Sequence, residues 1–227
     1  MKIVSKILLF LFLLTVPFLT IGFGRAILPS IKKISMGSSR WSVFLFGVLI
    51  FFPCLFAAKR IFPSGWNYLE TLEHELTHLL IGLLFLKIPV GFRVSAHAGG
   101  EVRQIGFVAT GQIWVTLAPY FFPTVSLLVV IISYFAGFNN LTLLGILGFT
   151  TAFHLVSNWG ETSFRQPDLQ KAGILKTILI LPVMNLICYG AVLAFVSGGK
   201  SGFINFWSEG FRSSIDILQE FIRFVFN

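Results

Sequence analysis

Six stretches of about 17–26 residues are apolar nearly throughout, at 4–23, 42–58, 66–87, 112–137, 141–158 and 173–197. Each is long enough, as a helix, to cross a hydrocarbon core of about 30 Å, so each predicts a transmembrane helix. The connectors carry the breakers and the charges. Pro29 and Gly37 lie in a basic run at 25–40, Lys59-Arg60 closes the second stretch, and Pro63-Ser64-Gly65 opens the third. A short turn is expected at 137–140. No fixed-period repeat is visible, which predicts one integral membrane domain over 1–227, all-α and polytopic.

Two segments break this pattern. In 88–111, Val90, Phe92 and Val94 alternate with Gly91, Arg93 and Ser95, and Glu101-Val102-Arg103-Gln104-Ile105 follows Gly99-Gly100. Period-two alternation on both sides of a glycine pair predicts a short membrane-associated β-hairpin over Val90–Phe107, with the glycines at its turn. In 203–227, Ile204, Trp207, Phe211, Ile215, Leu218, Ile222 and Val225 recur every three or four residues, with Glu209, Arg212, Asp216, Glu220 and Arg223 largely elsewhere on the wheel. That mixed charge predicts an interfacial amphipathic helix rather than a seventh span.

Composition agrees. The 227 residues are 56% hydrophobic and 11% charged, with 27 Phe, and the mean hydropathy is +0.86. A water-soluble domain could not hide that much apolar surface. The net charge of +8 comes from basic residues set singly or in pairs between apolar stretches, where they act as topology determinants; no nucleic-acid partner is implied. Alternating six spans puts ten basic residues, among them Arg25, Lys33, Lys87, Arg165 and Lys171, on one side. Seven, among them Lys2, Lys6 and Arg212, fall on the other, which places the hairpin side in the cytoplasm. Cys54 and Cys188 both lie in apolar stretches and form no Cys-x-x-Cys pair. Lys2 and Lys6 before the run Ile7–Ile21 resemble a secretory signal, but Gly22-Phe23-Gly24-Arg25 is a poor cleavage site, so an uncleaved first span is expected.

The chemistry is concentrated in His74-Glu75-Leu76-Thr77-His78. Histidines four apart share one helix face and can bind one ion, and the glutamate beside the first can take a proton from water on that ion. With four His and seven Glu in the chain, chance gives this HExxH pattern in about one chain in 500 of this composition. Ionisable groups within an apolar stretch are expensive there, which favours a functional reading. A catalytic zinc takes three protein ligands and keeps one open position. Asp168, set by Pro167 just before the sixth stretch, is the first choice for the third ligand. His154 is the second, and Glu161 is also within reach. Glu75 is the expected catalytic base. Glu70, one turn before His74, is a candidate to orient that imidazole. Glu73 lies on a different face, and Gly82, one turn after His78, leaves room for a neighbouring helix.

The HExxH stretch, the glycine-bearing hairpin and the later Pro167-Asp168 together resemble the site-2 protease family of intramembrane zinc metalloproteases, over roughly 66–175. Ala118-Pro119-Tyr120-Phe121-Phe122-Pro123 is similar to the small-residue and proline break that such proteins carry after the hairpin. The resemblance implies Zn2+ held by His74, His78 and Asp168, with Glu75 catalytic. It implies cleavage of a membrane protein or peptide substrate in the bilayer. The context Pro167-Asp168-Leu169-Gln170 departs from the family's Leu-Asp-Gly. A non-hydrolytic metal-binding membrane protein or transporter, or an inactive scaffold, is the alternative; Glu75 beside the first histidine argues against metal storage or transport.

Overall fold

The computed structural model describes residues 2–34, 37–97, 99–106, 111–135, 141–162 and 166–226, with backbone alone for Lys2, Ile3, Ser5 and Glu161. Four helices are long and apolar enough to cross a membrane: α1 (Lys2–Ile34), α2 (Ser39–Ile61), α6 (Leu141–Glu161) and α8 (Ile174–Phe226). α4 (Gln112–Leu117), extended by a 3-10 turn at Ala118–Tyr120, and α5 (Thr124–Phe135) pass that test only as a pair, and they meet at 91°. Among the described residues the count of candidate spans is therefore four, or five with the bent pair, and the six that the apolar pattern predicts are not confirmed.

Two features explain the difference. α3 (Pro63–Leu84) carries Glu70, Glu73, His74, Glu75 and His78, and it is not among the helices apolar enough to span. The stretch 112–137 is interrupted because Pro119 and Pro123 donate no backbone N–H to a helix. Residues 136–140, which hold the expected turn, lie outside the described residues. α1 also runs past the expected end at 23, through Arg25 and Pro29.

α8 is two helices joined at Gly199, whose φ of 61° and ψ of −142° suit only glycine. Its second half turns back along α1. Phe206, Trp207 and Phe211 surround the fully buried Phe23 at ring distances of 5.2–5.6 Å, and Phe221 meets Phe18. The helix expected to lie at the interface over 203–227 is thus packed on α1, because protein covers part of its apolar face. Arg40 secures the break. Its Nε and Nη2 donate to the carbonyls of Val196 and Phe195 at 2.8 and 3.1 Å, in the last turn before Gly199. α2 and α6 approach backbone to backbone, Gly47 against the Gly145 carbonyl and Gly148 against that of Phe44.

β1 (Lys87–Ser95) and β2 (Gly99–Gly106) pair antiparallel from Lys87↔Gly106 to Ser95↔Gly99, with an irregularity between Pro89 and Gly91. The predicted hairpin is present. Its turn begins at Ala96-His97, and Gly99-Gly100 opens β2 instead. Phe107 lies outside the described residues.

The structure does not confirm the alternation of six spans. Lys6 and Lys171, assigned to opposite sides by that count, border one cavity, and Lys33 and Arg212 border another.

Candidate metal centre

α3 starts at Pro63, whose fixed φ suits a first helical turn. It ends at Leu84, and two residues on the backbone turns left-handed at Leu86, φ 56°, and leads into β1. Between these ends the helix presents three faces to three partners.

The first face holds the imidazoles. The rings of His74 and His78 lie 4.9 Å apart, as expected one turn from each other. Their Nε2 atoms stand 3.6 and 3.2 Å from the same oxygen, Oδ2 of Asp168. Asp168 sits at the second position of α7 (Pro167–Ala172), a separate short helix that Gly173, φ 92°, divides from α8. Leu169 and Ala172 anchor α7 in a cluster with Ile81, Leu117 and Ile180, and so aim the carboxylate at α3. His78 Nδ1–H donates to the Val115 carbonyl at 2.7 Å, and its Nε2 faces Asp168. The edge of the Tyr120 ring meets His74 at 5.5 Å. Burial alone would raise the Asp168 pKa. Hydrogen bonds from His74 and His78, with the charges of His78 and Lys171, outweigh it and hold the carboxyl far below its ordinary range.

Two imidazole nitrogens and a carboxylate oxygen, all within 4.8 Å of one another, form a donor set that fits a divalent transition metal such as zinc. Among the described residues this is the group of three or more that could hold one.

The second face carries Glu75, 7% exposed, against β2. Any Cβ at Gly100 would overlap its side chain. One turn on, Gln104 of β2 lies over Gly82 and donates from Nε2 to the Leu79 carbonyl at 3.1 Å. Gly82 therefore admits a strand side chain, where a helix was expected. Glu75, His78 and Asp168 line one cavity of about 240 Å³, with Gly100, Val102 and Gln104 of β2 along its wall. Lys87 borders it too, buried and donating from Nζ to Gln112 Oε1 at 2.6 Å; desolvation lowers its pKa.

The third face turns away from the centre. Glu73 Oε1 accepts from His154 Nδ1 at 2.9 Å, and both side chains are almost wholly buried. Asn158 meets the other nitrogen of His154 at 2.8 Å. His154, the second choice for the third ligand, is thus occupied elsewhere, and Glu73 is a buried partner of α6. Thr77 donates to the Glu73 carbonyl and meets the Thr124 hydroxyl, tying the motif to α5. Glu70 is partly buried one turn before His74. For Glu161 only the backbone, at the end of α6, is described.

Lys87, Gln104, Gln112 and the role of Gly100 escape a reading of the sequence alone. The one available signal was the hairpin's alternation, which puts Gln104 and Val102 on the same face.

Comparison with protein-family models, with curated proteins and with solved structures returns no match.

Proposed function

We propose that this chain is a zinc-dependent metalloendopeptidase of the site-2 protease type, acting on membrane-embedded or membrane-proximal peptide bonds. One observation carries the reading: Glu75 lines the cavity onto which His78 and Asp168 open. A metal-storage or transport site has no use for a carboxylate held there by a close strand. His74, His78 and Asp168 would hold the ion. Bound there, zinc supplies Lewis acidity that eases deprotonation of water and polarises a carbonyl. Glu75 takes that proton at its carboxylate and returns it to the leaving amine. The Val115 carbonyl fixes the tautomer of His78. β2, which has no second strand neighbour among the described residues, offers an edge along the cavity where an extended substrate segment can add as a strand.

The same reading makes the protein multi-pass, with α1, α2, α6 and α8 among its spans. Lys6, Lys87, Lys171 and Lys176 all border the cleft or the cavity beside it, and this basic end faces the cytoplasm.

The test is purification with metal analysis and a peptide-cleavage assay. Glu75→Gln should keep about one zinc per chain and lose cleavage, since an amide accepts no proton. Wild-type turnover in that variant would refute the hydrolase.

A further inference from the structure

A second cavity, of about 370 Å³, adjoins the cleft, and Gln112, Thr116 and Lys171 line both. Its wall is apolar, made by Phe85, Ile113 and Trp114 with the first turns of α1 opposite. Phe12 packs edge-on to Trp114 with ring centroids 4.6 Å apart, which fixes α1 across the opening. Lys6, Lys171 and Lys176 stand at its border, and among the described residues no acidic side chain does. Lys6 and Lys176 are exposed. Lys171 is shared with Asp168 at 3.4 Å.

We infer that this cavity is a specificity subsite for a substrate segment in which an apolar residue is followed by Asp or Glu. The inference rests on the protease reading, since a chain lying in the cleft along β2 reaches this cavity past Gln112 and Thr116. The apolar wall takes the first side chain, and the lysines take the carboxylate of the next. Isolated basic residues next to a bilayer also attract anionic lipid. The continuity with the cleft favours the polypeptide.

The probes are two fluorescein-labelled peptides that differ only in charge, Leu-Phe followed by Asp-Glu in one and by Asn-Gln in the other. Each is titrated into full-length Glu75→Gln protein in detergent, so binding is read without cleavage. The acidic peptide should bind about tenfold more tightly, as expected of two partly exposed charge contacts. A Lys6→Ala/Lys176→Ala version with unchanged zinc content should discriminate by about twofold or less. Equal binding of the two peptides, or none, overturns the inference, as does discrimination that survives the double substitution. Phosphatidylglycerol vesicles are the third probe: lysine-dependent vesicle binding without peptide discrimination assigns the cavity to lipid and also overturns it. Failure of the protease reading shows separately, as peptide cleavage by the wild type that does not depend on Glu75.

Discussion

Two imidazole–carboxylate contacts lie side by side on α3, and they do different things. His154 meets Glu73 at 2.9 Å, and His78 meets Asp168 at 3.2 Å. In the first, the ring is 2% exposed and both of its nitrogens have partners, one of them Asn158. In the second, the Nε2 atoms of two rings converge on one oxygen beside a cavity of about 240 Å³. A histidine beside a carboxylate can serve as a ligand set only when its nitrogen points, with others, into reachable space. When both nitrogens are bonded in a closed core, the same chemistry is a helix clamp. Glu73 and His74 are neighbours in sequence, and one residue of helical rotation separates the two outcomes.

The comparison is broken most forcefully at the metal. His78→Ala, or His74→Ala, should drop zinc from about one per chain to nearly none, whereas His154→Ala should leave the stoichiometry unchanged. Retention of metal by both α3 variants, read by elemental analysis, would put the two contacts in one class. Asp168→Ala should come next, with weaker zinc binding by competition with a chelator and activity lost. Removing one partner of the closed pair should act on stability instead. His154→Ala strands a buried carboxylate and should cost about 3–5 kcal/mol in detergent unfolding. The apolar pair Glu73→Leu/His154→Leu should recover much of that. A full loss of zinc in this double variant would show that the clamp also sets the ligands. The smallest effect is expected at Gly100→Ala, which pushes Glu75 away from β2: turnover should fall by roughly tenfold, with zinc retained.

How much of this was legible follows from range. Helical spacing is local, so the sequence alone pairs His74 with His78. Pro167 and Asp168 are also adjacent, and the candidate ligand could be picked from a short inventory. Glu73 could be placed on another face of the helix, but what waits there is His154, which only the packing of α6 on α3 reveals. The apolar run Leu79–Leu84 masks the acidic turns before it, which is why α3 reads as a span. Alternation revealed the hairpin, while its turn was misplaced because Gly99-Gly100 looks like a turn pair. Gly100 is glycine for the sake of Glu75. The sequence places a break between 197 and 203, but nothing local singles out Gly199, since Gly198 beside it is equally small.

That reversal has a consequence for how the molecule is made. α1 emerges before the other described helices, yet Phe23 is enclosed by Phe206, Trp207 and Phe211 of the second half of α8. Until those residues are made, this flank of α1 has only lipid or the insertion machinery to face. Contacts so distant in sequence close slowly and late. The seam between α1 and the returning half of α8 therefore works as a clasp. It shuts only once the chain has been delivered through Phe211, and a ribosome that stops short of it leaves the bundle open.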